Sequence, residues 1–228
     1  MSVKNGAVCF TFDDAAYDQW IEVLPLWAKY NAHATFFAAG EINQLAVDAM
    51  KQLQSAGHTV GLHSLHHADA VPFFAGKGGE MYIQQEIMPQ LEVCRSAGIA
   101  INNFAYPNNV RDQNTDQMLS GLFRHFRAGA KGWHVGDKVT SENMALYDLD
   151  ALPVVLGGYG IGEYYSTDIE DLENALSVAA RANKLIVFFS HGISPDAHGV
   201  CMKTCWLERC LAKAASLNMA FYGFDDLP

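Results

Sequence analysis

Three apolar runs in this chain each end on residues that bind metals or move protons. Asp13 and Asp14 follow Val8-Cys9-Phe10-Thr11-Phe12, the histidines His63, His66 and His67 follow Val60-Gly61-Leu62, and His191 follows Val187-Phe188-Phe189-Ser190. His63 and His67 are four residues apart, so one turn of helix after the strand puts both imidazoles on one face. Two neutral imidazoles and one carboxylate make a three-ligand set with a position left open, which is the pattern of catalytic rather than structural zinc. A metal held that way lowers the pKa of its water toward about 7 and polarises a carbonyl oxygen. With two adjacent aspartates, one is free to accept a proton, and His191 is a candidate acid for a leaving amine.

Each cluster alone also has a plainer reading. An Asp pair after a strand commonly caps a helix, His63-Ser64-Leu65-His66-His67 reads equally as a solvated loop, and His191 as a hydrogen-bonded rim histidine. Co-occurrence at three strand ends favours chemistry, because a parallel barrel gathers the C-terminal ends of its strands on one rim.

The elements that must do this positioning alternate between short Val-, Ile-, Phe- and Thr-rich runs and longer helical patterns, the signature of βα units. Strands are expected at Ala7 to Phe12, Ala34 to Ala38, Thr59 to Leu62, Asn103 to Tyr106, Phe126 to Ala130, Leu152 to Leu156, Leu185 to Ser190 and Ala220 to Phe224. Helices are expected at Trp20 to Tyr30, Gln44 to Ala56, Glu80 to Ala97, Asp116 to Phe123, Asp168 to Ala182 and Cys201 to Ser216. A polar loop is expected around Gly76, Gly78 and Gly79, and a Gly- and Tyr-rich loop after Leu156. No linker divides the chain, so residues 1–228 read as one α/β domain, a distorted (β/α) barrel of seven or eight repeats.

Half of the 228 residues are hydrophobic and 18% are charged, an ordered globular composition. The formal charge of −10 argues against nucleic-acid or anionic-membrane partners, either of which would need a basic face. No apolar stretch reaches the roughly 20 residues of a membrane span, and the polar start at Met1 lacks the apolar segment of a secretory signal. Read from Met1, the expectation is a cytoplasmic protein. Five cysteines, an odd number, fit a reducing compartment. Cys201 and Cys205 are spaced as on one helix, yet no Cys-x-x-Cys pair supports a thiolate metal site, and packed free thiols are expected.

Taken together, these motifs resemble the polysaccharide deacetylase family, whose domain is also called the NodB-homology domain. Thr11-Phe12-Asp13-Asp14 is similar to its first motif, His63-Ser64-Leu65-His66-His67 to its second, and Ser190-His191-Gly192 to its last. The resemblance implies that Asp13 is the catalytic base, that Asp14, His63 and His67 hold the metal, and that His191 is the general acid. The third motif departs from the family: Phe104-Ala105-Tyr106-Pro107-Asn108 has no Arg ahead of Pro107. Tyr106 and Pro107 remain candidate substrate residues, a backbone N–H near Tyr106 a candidate oxyanion donor, and Arg111 a candidate for the missing charge. The supporting Asp–Trp pair of the family is not evident; Trp133 with Asp137, or Asp150, are its candidates. Tyr159, Tyr164 and Tyr165 are candidates to stack on a sugar ring.

The resemblance thus implies a NodB-like barrel that uses one divalent metal, zinc by default with nickel, cobalt or iron also compatible. The expected substrate is an acetylated amino sugar, in a cell-surface polysaccharide or in its nucleotide- or lipid-linked form. Two alternatives stay open at this point: a hydrolase of a cyclic ureide or imide C–N bond, and a non-catalytic sugar-binding homologue.

Overall fold

The alternation of side chains along Ala7–Asp14, strand β1, sends Phe10 and Phe12 to one face and Cys9, Thr11 and Asp13 to the other. Both faces are buried, as expected of a strand in the middle of a parallel sheet covered by helices. In the computed structural model, which describes residues 4–130 and 144–228, β1 pairs on one side with β2 (Thr35–Ala38) and on the other with β7 (Leu185–Ser190). Between these run β3 (Thr59–Leu62), β4 (Asn103–Ala105), β5 (His125–Gly129) and β6 (Val155–Gly160), each parallel to its neighbours. The β1–β7 pairing closes a seven-stranded parallel barrel.

Two short strands, β8 (Ile193–Ser194) and β9 (Met202–Lys203), pair with each other beyond β7. The last strand, β10 (Ala220–Phe221), pairs with the start of β1 at Ala7 and Val8, outside the closed ring.

The barrel lumen holds a small apolar layer that includes Cys9, Phe37, Leu156 and Val187. Gly61 on β3 leaves room for it: a Cβ there would sit 2.6 Å from the Phe37 ring. Its N-terminal end is plugged by the turn Phe224–Asp226, whose Phe224 and Asp225 N–H groups donate to the Thr35 and Thr59 hydroxyls.

Outside the barrel pack α1 (Tyr17–Glu22), α2 (Leu24–Lys29), α3 (Gln44–Ser55), α4 (Ala70–Lys77), α5 (Gly79–Tyr82), α6 (Met88–Ser96), α7 (Gln113–Leu119), α8 (Ile169–Ala182) and α9 (Thr204–Ser216). Asp112 and Asp168 close capping boxes at the starts of α7 and α8. No helix among the described residues is long and apolar enough to cross a membrane.

Several expected boundaries move, each for a local reason. The helix expected across Pro25 is two helices broken at Val23, since proline is tolerated only in a first turn. The loop expected around Gly76 is the helix α4, which Gly78 ends at φ 87. The continuous helix expected from Glu80 is interrupted by a π-helical turn at Ile83–Ile87. The Gly-Gly-Tyr segment expected as a loop lies inside β6, where the ladder to β5 and β7 overrides weak strand propensity. Cys201 precedes α9 rather than sharing it with Cys205, and all five cysteines are free.

His58 shows how fully the outer layer is sealed. Its ring lies edge-on to Trp27 and Phe36, with centroids 5.7 and 5.4 Å away, and its Nδ1 accepts the Ala34 N–H at 3.1 Å. Burial first, and His33 second, pull its pKa down from 6.5 to about 4. The unfolded chain therefore takes up a proton near pH 6.5 that the folded chain refuses until about pH 4. Stability is fully present above 6.5 and falls by about 1.4 kcal/mol per pH unit between these values. Urea unfolding in chelator from pH 7 to 4 should show a slope shallower by about one proton in His58→Gln; equal slopes would exclude a neutral buried His58.

Candidate active site

At the end of β1 the two aspartates part. Asp13 continues the inward alternation and is 2% exposed. Asp14 takes φ 81, a left-handed conformation costly for a residue with a Cβ, and turns its carboxyl onto the rim. There Oδ1 lies 3.9 Å from His63 Nε2 and 3.8 Å from His67 Nε2, and Oδ2 lies 3.8 Å from His191 Nε2. One donor atom each from Asp14, His63 and His67 falls within 4.8 Å of the others; among the described residues this is the grouping of three such side chains close enough to share an ion.

The two histidines do not meet on a helical turn. Residues 63–69 form an irregular loop in which Ser64 and His67 have φ of 66 and 54. That loop folds back until the two Nε2 atoms are 3.2 Å apart. His63 is 2% exposed and its Nδ1–H donates to the Ala105 carbonyl at 2.8 Å, which points the Nε2 lone pair at the rim. Burial above all, with Arg127 and His67 adding to it against Asp13, pushes its pKa down to about 4. It is the neutral imidazole that a ligand must be.

Asp13 is paired inside the barrel with Arg127 of β5, which is 1% exposed. The guanidinium Nη2 donates to Asp13 Oδ2, and Nη1 donates to Asn109 Oδ1 at 2.5 Å. Its plane lies over the Phe189 ring at 4.7 Å and the Phe37 ring at 5.9 Å. Burial would raise the Asp13 carboxyl, but Arg127, His63 and His191 outweigh it and hold the group below the usual carboxylate range.

Arg111 does not fill this place. It forks onto Asp116, whose other partner is the Tyr106 hydroxyl at 2.9 Å, and lies outside the cavity. The charge beside Asp13 comes instead from β5, the strand next to β4, and the sequence does carry a sign of it: an Arg within His125-Phe126-Arg127-Ala128, where burial demands a partner.

Tyr106 reaches the cavity wall while Pro107 sits behind it, both buried. The Tyr106 N–H is committed to the Arg127 carbonyl, and those of Asn109 and Val110 to Tyr106 and Pro107. Asn108, at φ 50, follows Pro107 and lines the cavity. His191 is fixed from behind, its Nδ1–H donating to the Val200 carbonyl at 3.2 Å and its own carbonyl accepting Trp20 Nε1–H at 2.9 Å. Asp150 is exposed and lies outside the cavity, while Trp133 and Asp137 lie outside the described residues.

Of the three tyrosines, Tyr164 and Tyr165 line the cavity and Tyr159 is packed in the core. Tyr165 stands edge-on to Phe189, with centroids 5.2 Å apart. The cavity that joins these groups has a volume of about 240 Å³ and takes in Asp13, Asp14, His63, His67, Arg127 and His191.

Among curated proteins, a chitin deacetylase of Arthroderma benhamiae is 39% identical over 69 residues, 28% of this chain and 18% of that protein. An uncharacterized 30.6 kDa protein of Geobacillus stearothermophilus is 34% identical over 71 residues, 31% of this chain and 27% of that protein. The matches thus span less than a third of either relative. Among solved structures, the chitin deacetylase of Colletotrichum lindemuthianum superposes with a TM-score of 0.63 at 20% identity, covering 99% of this chain and 88% of that one. A family 4 acetyl xylan esterase of Clostridium thermocellum, solved with a cobalt ion, gives 0.61 at 19% identity, covering 97% and 89%. These share the barrel. The polysaccharide deacetylase family model matches residues 2–122, just over half of the chain and the part that carries Asp13, Asp14, His63 and His67. This chain belongs to the polysaccharide deacetylase family.

Proposed function

We propose that this chain is a metal-dependent hydrolase that removes an N-acetyl or related acyl group from an amino sugar, in a polysaccharide or in its nucleotide- or lipid-linked precursor. The observation that carries this reading is the convergence of Asp14, His63 and His67 beside the buried Asp13–Arg127 pair and His191, in one cavity. The donor set suits a divalent cation: two nitrogens and a carboxylate, with His63 held neutral and its Nε2 turned outward. Asp14, His63 and His67 would hold it. When bound, such a cation supplies Lewis acidity to a carbonyl oxygen and acidity to water. Zinc suits these donors, and nickel, cobalt or iron are compatible.

The chain's own residues account for the proton movements. Asp13 Oδ1 is buried with no hydrogen-bond partner among the described residues, so it is free to take the proton of an attacking water. Arg127 keeps that carboxyl ionised and fixes its plane. His191 Nε2 faces the same space and delivers a proton to the departing amine. Asn108, rather than Tyr106, is the candidate backbone donor to the oxyanion, because the Tyr106 N–H is already used. Tyr164 and Tyr165 give the sugar ring an aromatic wall. Family membership supports an acylated sugar over a cyclic ureide, and a complete set of proton-moving groups supports catalysis over binding alone.

Acetate release from acetylated amino sugars should be abolished by chelator and restored by zinc. Asp13→Asn should keep metal content while lowering turnover about 10²-fold or more; Asp14→Ala or His63→Ala should lose metal and activity together. Metal loss in Asp13→Asn would reverse the two aspartates.

Arg127→Ala leaves a buried carboxyl without its counter-ion and should destabilise the protein by about 3–5 kcal/mol. Any residual activity should have an acid limb moved to higher pH, because the Asp13 carboxyl rises once Arg127 is gone. An unmoved limb would separate Arg127 from the base.

His191→Ala should lose more rate on an acetamido sugar than on an activated acetyl ester, whose leaving group needs no proton. Equal losses on the two substrates would exclude the acid role.

A further inference from the structure

The loop that carries His63 and His67 holds two left-handed residues, Ser64 and His67, neither of them glycine. Such residues cost about 1–3 kcal/mol each and persist only where the surroundings over-determine them. The ends of β2 and β4 hold part of the loop, where the Gly40 N–H donates to the Ser64 carbonyl and His63 bonds to the Ala38 and Ala105 carbonyls; the rest of its polar support comes from one helical segment, residues 79–96. Tyr82, fully buried, donates its hydroxyl to the Ala68 carbonyl at 3.1 Å. Glu86, 3% exposed, accepts the His66 backbone N–H at 2.8 Å and meets His66 Nδ1 at 2.9 Å, while its own carbonyl accepts the Leu65 N–H at 3.0 Å. Gln90, 1% exposed, donates Nε2 to the Gly40 carbonyl at 2.7 Å and, at longer range, to the Ser64 carbonyl at 3.3 Å.

These three residues are spaced four apart. Four residues of α-helix turn about 400°, so positions 82, 86 and 90 would drift about 40° per step around an unbroken helix. The π-helical turn at Ile83–Ile87 rotates less per residue and offsets that drift, which keeps all three groups on the loop. A carboxyl and an amide sunk in a helix face that would otherwise be apolar cost stability unless they are bonded. The Glu86 carboxyl bonds the loop at residue 66, and the Gln90 amide bridges the Gly40 carbonyl after β2 to the loop at residue 64, so both act between the two histidines.

We propose that Glu86 and Gln90 are positioning residues, a buried clamp on the helix that sets the loop geometry at which His63 and His67 face one another. This rests on the proposed reading of those histidines as metal ligands, and it goes beyond that reading by naming what holds them. His66, whose side chain is 69% exposed, is on this account the handle of the clamp rather than a ligand.

The test uses full-length protein, with zinc alone as the probe and folding followed by circular dichroism. Glu86→Leu and Gln90→Leu should each weaken zinc binding about 10–100-fold, as loss of groups that orient ligands does. In metal-free protein they should also speed amide exchange across residues 63–68. Glu86→Gln can still accept from the His66 N–H and donate to a neutral His66 ring, so it should recover most of the affinity, which a merely space-filling role does not predict. Glu92→Gln, exposed on the same helix, should change neither readout. Wild-type zinc affinity with unchanged exchange in a folded Glu86→Leu or Gln90→Leu protein would overturn the clamp. Should Glu86→Leu not fold, Gln90→Leu and Glu86→Gln decide. A wild-type chain that binds no zinc would sink the metal reading, while the metal-free exchange would still uphold or refute the clamp.

Discussion

Inside the rim of the barrel an aspartate and an arginine are buried together, and the arrangement of the site depends on that pair. Asp13 and Arg127 come from β1 and β5, on opposite parts of the ring, and each is almost wholly out of water. Two charges in such a place are tolerable only when each satisfies the other and their remaining donors find acceptors. Arg127 meets this in part, by reaching Asn109 as well as Asp13 and by lying against Phe37 and Phe189, while its Nε and Asp13 Oδ1 are buried with no partner among the described residues. The pair therefore ties the lumen, the β4–α7 loop and the end of β1 into one unit. Neither partner can shift without stranding the other.

Above that pair, the rim is built from backbone that is expensive to hold. Asp14, at the end of β1, and Ser64, His67, Asn108 and Asn109, in the loops after β3 and β4, all have positive φ, and all but Ser64 line the cavity. Strain of this kind gathers where side-chain direction matters more than local stability. At Asp14 it separates two adjacent carboxyls, one into the lumen and one onto the rim. At Ser64 and His67 it does what a helical turn was expected to do, by a tighter route. The support for these residues comes from elsewhere: the β1–β2 ladder for Asp14 and the polar face of residues 82–90 for the histidine loop.

Much of this was legible in the amino-acid order. Apolar runs that end on Asp13-Asp14, on His63 to His67 and on His191 announce strand ends with chemistry attached, and the βα alternation announces a parallel barrel that unites them. Those readings rest on local physics: side-chain periodicity, turn residues and the metal affinity of imidazole and carboxylate. Where local propensity was weak or misleading, boundaries slipped. The glycines of β6 look like a loop until the ladder on either side is known, and Val71-Pro72-Phe73-Phe74 looks unlike the start of a helix until it packs.

What the sequence by itself determined is the fold class and the three clusters, because periodicity and residue type are properties of short stretches. What only the tertiary structure decided is which residues meet. Arg111 is near Pro107 in the chain and answers Asp116, whereas Arg127, 114 positions from Asp13, is the one that reaches it. The Tyr106 N–H, which the third motif alone would leave available, is used by a backbone bond to the Arg127 carbonyl. Glu86 and Gln90 stand in an unremarkable helical stretch, and nothing in their spacing says that they hold a loop 20 to 26 residues earlier. Pairings between residues distant in the chain follow from barrel closure and from the need of every buried charge for a partner. No local pattern records that choice.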